Sequence, residues 1–252
     1  MDELVLVEHA GAVRTVTLAR PEKRNAINPE MMQAMRNAFE SEPRDEERVT
    51  VLRSQGTAFC AGLQLSTAGV KEDEARRIEG MFDAVQRYPL PVVAIVQGPA
   101  IAGGCELALH CDFVVAAREA PLMMPLAQLG VTTTWFLTKK IIEAAGPVTA
   151  REFLLLGAAI TGQRLCDLGI IARTADADKL GAEADVLIAQ LAANAPLAMR
   201  TMKAMLIKKM SFLLDIEHGE FDEPVRRVYA SRDAREGVAA KVQRRTPTFT
   251  GE

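Results

Sequence analysis

The sequence predicts an α/β fold whose second half is mostly helical, and three observations carry the prediction. Short apolar runs rich in β-branched residues, such as Val49–Ser54 and Val92–Val96, read as buried strands. Segments with apolar residues at helical spacing alternate with them in units of roughly 40 residues up to about Ala120. Beyond that point helical patterns dominate. The alternation alone is equally compatible with a doubly wound parallel sheet.

At the start of the chain Val5, Val7 and VRTVTL (13–18) form two alternating segments joined at Ala10-Gly11, the pattern of a hairpin. The polar loop RPEKRN (20–25) leads to Asn28-Pro29, a good N-cap followed by a first helical residue, and Met31, Met32, Met35 and Phe39 then mark one core-facing stripe. After the strand at Val49, GTAFCAGL (56–63) is a glycine-punctuated turn whose backbone can approach a ligand closely. The first half of LQLSTAGVKEDEARR (63–77) reads as a loop. Ile78, Met81, Phe82 and Val85 mark the next helix, which must stop before Pro89 and Pro91.

The stretch PVVAIVQGPAIAGGCELALHCD (91–112) organises the rest. Its strand is broken by Gly98, Pro99, Gly103 and Gly104, and a short helix follows. Gly103 and Gly104 thus fall where the first helical N–H groups lack an intrahelical partner, and such donors can bind an oxyanion. Glu106, in the same turn at the end of a hydrophobic strand, is partly desolvated and suited to exchange protons near neutral pH. Next come a strand at FVVAA (113–117), a proline-bounded connection at PLMMPLAQLG (121–130) and a helix over 133–145 ended by Gly146-Pro147. From Pro196, LAMRTMKAMLIKKM (197–210) and VRRVYASRDAREGVAAKVQRR (225–245) alternate apolar and basic faces, as amphipathic helices in need of a partner surface do.

With 252 residues, 49% hydrophobic and 25% charged, the chain suits one sizeable domain with its own core. A net charge of -3 predicts no general attraction to nucleic acid or to an anionic membrane. No apolar run approaches the roughly 18–20 residues that a membrane-spanning helix needs. The four cysteines, Cys60, Cys105, Cys111 and Cys166, form neither a disulfide framework nor a CxxC pair, and suit a reducing compartment. His9, His110 and His218 have no metal spacing, so no metal is expected, and His110 reads as structural. The opening MDELVLVEHAG is acidic and unlike a secretory signal or transit peptide, so the expected location is cytoplasmic.

AFCAG (58–62) together with AIAGGCELALHCD (100–112) resembles the enoyl-CoA hydratase/isomerase, or crotonase, family. RPEKRNAI (20–27), TGQRLCDLGII (161–171) and SRDAREG (231–237) extend the resemblance over essentially the whole chain. It implies a crotonase-like ββα spiral with two near-perpendicular sheets and a C-terminal helical trimerisation region. In that scheme residues 1–195 are the spiral core with the active site, and 196–252 a helical subdomain for oligomerisation and active-site closure. The implied partners are an acyl-CoA thioester substrate and further copies of the chain in a homotrimer or hexamer. No cofactor is implied beyond the coenzyme A of the substrate.

By motif position, the resemblance makes the N–H groups of Leu63 and Gly103 the oxyanion hole for a thioester enolate, and Glu106 the first of the two glutamates that family hydratases use. It places Arg24, Ala26 and Ile27 beside the adenine and pantetheine of CoA, Ala61 and Leu63 at the thioester end, and Arg244 as a basic contact from the last helix. Met81, Phe82, Met123, Met124 and Trp135 are candidates for the acyl pocket. Gln128 and the hydroxyls of Thr132, Thr133 and Thr134 stand near the motif as loop hydrogen-bonders, and Asp112 as a structural cap. The position of the second glutamate is Leu126. Hydration needs a base for water as well as an acid for the α-carbon, and the resemblance puts the single glutamate of dedicated isomerases at this same position, so both usual mechanisms lose a carboxylate and Glu106 is left to carry double-bond isomerisation or single-glutamate hydration. It also leaves open a crotonase-fold acyl-CoA-binding protein with little turnover.

Overall fold

The computed structural model describes residues 3–64, 72–213 and 216–252, with the side chains of 72–76 and 213 excepted. The hairpin forms as read: β1 (Val5–Ala10) and β2 (Val13–Leu18) pair antiparallel, with Val5 opposite Leu18 and the turn at Gly11, where φ is +56°. Asn28 caps α1 (Pro29–Glu40), accepting from Met31 N–H at 2.9 Å, and Met31, Met32, Met35 and Phe39 are all buried. Then follow β3 (Val49–Ser54), α2 (Glu72–Arg87) and β4 (Val92–Val96). The predicted loop after Leu63 falls partly on 65–71, outside the described residues.

A short strand β5 (Ala100–Ile101) and helix α3 (Gly103–Leu109) come next, followed by β6 (Phe113–Ala117), β7 (Pro121–Met123) and α4 (Trp135–Arg151). Beyond them lie β8 (Ile160–Thr161), α5 (Gly162–Asp167), β9 (Arg173–Ala175), α6 (Leu180–Ala192), α7 (Pro196–Met210), α8 (Asp222–Ala230) and α9 (Arg232–Gln243). The main sheet has the order β1-β2-β3-β4-β6-β9, parallel from β2 onward. Its centre, β4, reads VVAIV because a parallel strand covered on both faces needs a nearly continuous apolar run. The smaller sheet, β5-β7-β8, pairs β5 with β7 in parallel and β7 with β8 antiparallel.

The two glycine turns lock together. Cys60 N–H donates to Pro99 O at 3.2 Å and Ile101 N–H to Cys60 O at 2.9 Å. A β-carbon on Gly104 would lie 2.2 Å from Cys60 O, and one on Gly62, where φ is +84°, would lie 2.7 Å from Ile101 O. Side chains at these positions would force the turns apart. Between them Ala102 takes φ +48° and ψ -115°, strain of about 1–3 kcal/mol that its N–H bond to Met123 O at 2.8 Å helps to hold.

Three expectations need correction. PLMMPLAQLG is more than a connection: it contributes β7 and a 3-10 turn at Ala127–Leu129, because the strained backbone at Ala102 and the β5 pair bond to it. The helix over 133–145 begins at Trp135 behind its Thr134 cap and breaks at Gly146 (φ +65°), but helical turns resume at Pro147 and run into a π turn at Glu152–Leu156. In α7 the apolar and basic faces are not cleanly separated: the basic Lys203 is buried beside the core with Met199, while Leu197, Met202, Met205 and Leu206 stay exposed and still need a partner surface. Lys203 can be buried because it binds Asp112 Oδ2 at 2.6 Å and Leu90 O at 2.9 Å. Asp112 also accepts from Val92 N–H at 2.7 Å, the structural part expected of it.

Candidate active site

Two backbone amides converge beside the locked turns. Ile27 bridges to Leu63 in parallel, with Ile27 N–H donating to Gly62 O and Gln64 N–H to Ile27 O, each at 2.8 Å. Backbone alternation then turns the N–H of Leu63 away from Ile27. Gly103 opens α3, so its N–H has no intrahelical acceptor. The two lie close together: a β-carbon on Gly103 would sit 3.6 Å from Leu63 N, and one on Gly62 would sit 3.2 Å from Gly103 N.

These residues open onto a cavity of about 620 Å³, lined by Ala61, Leu63, Gly103 and Glu106 together with apolar side chains such as Ile78, Phe82, Met124, Leu126, Leu137 and Val238. Glu106 is only 1% exposed, and neither carboxyl oxygen has a hydrogen-bond partner among the described residues. Burial raises its pKa well above the usual carboxylate range, against a weaker opposing pull from the charge of Lys140. Burial and the lack of partners among the described residues thus favour the neutral acid over the carboxylate.

One turn on, His110 is stacked between Phe82 and Phe136, with ring centroids at 4.9 and 5.5 Å. Its Nδ1–H donates to Glu106 O at 2.8 Å. That nitrogen also lies 3.6 Å from a Glu106 carboxyl oxygen, but burial depresses the imidazole pKa as it raises that of Glu106, so the contact is not an ion pair. His110 thus fixes the α3 backbone, consistent with the structural reading. Burial likewise pushes the Cys60 thiol up to about 12 and raises Cys105 and Cys111, so these three offer no thiolate.

The predicted site residues divide into those on the wall and those behind it. Ala61, Leu63, Gly103, Glu106 and Leu126 line the cavity. Arg24, Ala26 and Ile27 stand alongside: Ala61 N–H donates to Arg24 O at 3.0 Å, Arg20 holds Ala26 O at 2.9 Å, and the side chain of Arg24 is exposed. Arg244 does not line the cavity. It takes φ +56° as the C-cap of α9, and Lys241 and Arg245 line the wall instead. Of the acyl-pocket candidates Phe82 and Met124 are on the wall, whereas Met81 is core and Trp135 stacks on His218 at 4.9 Å. Gln128 lines the cavity but spends its amide on Leu156 O and Gly157 O, at 3.0 and 3.2 Å.

Sequence reasoning missed Tyr229 and the segment Thr246, Pro247 and Phe249, which also line the cavity. This segment is strapped to α9. Thr248 N–H donates to Glu236 at 3.0 Å, and Thr250 and Gly251 N–H each donate to Asp233 at 2.8 Å. The Arg245 fork on Glu236, with Thr248 N–H, draws the Glu236 pKa down to about 2. The single aromatic residue in an otherwise polar tail, Phe249, was the available signal.

A sequence profile of the family described as enoyl-CoA hydratase/isomerase matches residues 8–252. The chain belongs to the enoyl-CoA hydratase/isomerase family. Among relatives of this family member, the 2,3-dehydroadipyl-CoA hydratase of Escherichia coli is 30% identical over 255 residues, covering 100% of both chains. The 1,2-epoxyphenylacetyl-CoA isomerase of the same organism is 30% identical over 266 residues, again covering 100% of both. A methylmalonyl-CoA decarboxylase solved with 2S-carboxypropyl-CoA superposes with a TM-score of 0.89 at 24% identity, over 100% of each chain, and shares the crotonase fold. The family is one of acyl-CoA enzymes, and among the described residues no helix is long and apolar enough to cross a membrane.

The buried acid has a consequence for stability. Between the ordinary glutamate value of 4.5 and the raised folded value, the folded state holds a proton that the unfolded state has released. Stability attributable to this group is therefore greatest below 4.5 and falls as pH rises through that window. Glu106→Gln, which cannot ionise, should melt at a higher temperature than wild type at pH 8, with the gap closing at pH 4. Equal melting differences at the two pH values would contradict a neutral, buried Glu106.

Proposed function

We propose that this chain acts on enoyl-CoA thioesters by proton transfer at the α-carbon, with Glu106 as the acid/base group and the N–H groups of Leu63 and Gly103 as the clamp for the enolate oxygen. The observation that carries the reading is the buried carboxyl of Glu106, without a hydrogen-bond partner among the described residues, on the wall of an apolar cavity where two backbone donors converge. A thioester oxygen held by two such donors gains charge as the α-carbon loses or accepts its proton, and each donor of this kind is worth roughly a hundred- to thousand-fold in rate. Relatives named as a CoA hydratase and a CoA isomerase support the same substrate class. The apolar wall suits the acyl chain, and Lys241 supplies a cation for a CoA phosphate.

Isomerisation needs one base acting on one face; Glu106 is placed for that task but can perform it only from its ionised form, which burial disfavours. Hydration needs in addition a group that takes a proton from water, and Leu126 is not one. Leu126 on the wall also favours a second reading, an acyl-CoA-binding protein with little turnover. For assembly, we propose a homotrimer or hexamer that covers Leu197, Met202, Met205 and Leu206 on α7, since contiguous exposed apolar side chains mark association surfaces. Residues 1–195 would then form the catalytic core and 196–252 the assembling helices, with Tyr229, Lys241 and Phe249 closing the cavity from the latter.

Two measurements test this reading. With a panel of 2-enoyl- and 3-enoyl-CoA thioesters, wild type should turn over at least one member, and Glu106→Gln should bind it equally while losing at least about a hundred-fold in kcat. Binding without turnover across all chain lengths would favour the second reading, and near-wild-type activity of the variant would remove Glu106 from the chemistry. Light scattering should report three or six chains per particle; an active monomer would contradict the assembly.

A further inference from the structure

We propose that hydration in this site uses a second proton-transfer unit, in which the Thr134 hydroxyl holds the attacking water and the Glu79 carboxylate, bonded to that hydroxyl, receives the proton. The inference rests on the reading of Glu106 as the α-carbon acid and supplies the group that Leu126 does not. Thr134 lines the cavity, and its hydroxyl donates to Glu79 Oε1 across the gap between α4 and α2. Glu79 stands behind Thr134, one residue from Ile78, which is itself on the wall. The Thr134 oxygen also accepts from Leu137 N–H at 3.4 Å. A hydroxyl has one proton and two acceptor positions, so one acceptor position remains for a water in the cavity.

The surroundings favour this arrangement. Thr134 caps α4, whose N-terminal dipole provides a favourable field for a carboxylate beside it. The Glu79 charge extends to the cavity wall: burial first, and then that charge, push the Tyr229 phenol up to about 12. Tyr229 commits its hydroxyl to Thr132 O at 2.6 Å, so that hydroxyl does not donate to Glu79. In the proposed step Glu106 and Glu79 hold opposite roles, one giving a proton to carbon and the other taking one through Thr134.

The step balances as follows. The water oxygen bonds to the β-carbon, and the π pair of the double bond moves through the thioester enolate to the α-carbon, which takes the proton of Glu106. The water proton passes to the Thr134 oxygen as the proton of Thr134 passes to Glu79. One carboxyl has then lost a proton and the other gained one, and exchange with solvent restores both. No redox partner or metal is required. Thr134 touches the reacting water, whereas Glu79 acts through it and is a positioning residue.

The test follows hydration of crotonyl-CoA and 2-octenoyl-CoA by the full chain, with α-proton exchange measured in deuterated solvent. Glu79→Gln keeps an amide oxygen for the Thr134 hydroxyl but accepts no proton. It should lower the hydration kcat at least about thirty-fold with KM within about twofold, and lower the ratio of hydration to exchange to match, while Glu79→Asp recovers part of the loss. If Glu79→Gln fails to fold, the Thr134 pair decides: Thr134→Ser should hydrate within about threefold of wild type and Thr134→Val should lose hydration. Wild-type hydration by Glu79→Gln or by Thr134→Val would overturn the proposal, as would a wild type that adds no water to either thioester. Wild-type rates in Glu106→Gln would instead overturn the reading of Glu106, whatever the Glu79 variants do.

Discussion

The contact between Gly104 and the Cys60 carbonyl is the constraint on which the rest of the site depends. The gap admits no β-carbon, so α3 starts directly against the turn that carries Leu63. That closeness places two N–H groups without an acceptor among the described residues side by side and puts the first turn of α3, with Glu106, under the apolar roof of α2 and α4. The strained Ala102 links the smaller sheet to the same point through Met123 O. Sheet order, turn chemistry and helix entry therefore converge within a few residues.

Burial makes that geometry chemically useful at some cost to the fold. An unpartnered carboxyl in an apolar cavity is tolerated because it stays protonated, and a protonated acid is what an enolate carbon needs. His110 is driven the opposite way by the same surroundings and serves as a stacked brace. Above the cavity, α9 and the strap from Thr246 onward add the cations and Phe249, while Asp233 and Glu236 hold the strap by bonds to its backbone. Cavity-wall residues and strap contacts thus share one helix, and the register of that helix decides which basic residue reaches the wall.

What the sequence made legible was local. Glycine at 62, 103 and 104, β-branched runs at β3 and β4, and the Asn28-Pro29 cap each act within a few residues, so the turns and the place of Glu106 beside them could be read directly, while the meaning of Leu126 came only from the family resemblance. The illegible parts depend on distant partners. The strand at β7 exists because residues 100–102 bond to it, and Lys203 is buried because Asp112, 91 positions away, receives it. Motif position points to Arg244, whereas the left-handed cap at Arg244 ends the helix and the neighbouring Lys241 and Arg245 line the cavity. Thr134 looked like a loop hydroxyl because its link to Glu79 spans 55 positions.

The central claim is that Glu106 rests as a neutral acid beside the two amides. Difference infrared spectra between wild type and Glu106→Gln, taken at pH 7 without substrate, test it most directly. The account predicts a carbonyl stretch of a protonated carboxylic acid that is present in wild type, shifts on deuteration and is absent from the variant. A difference spectrum containing only the paired bands of an ionised carboxylate would contradict it.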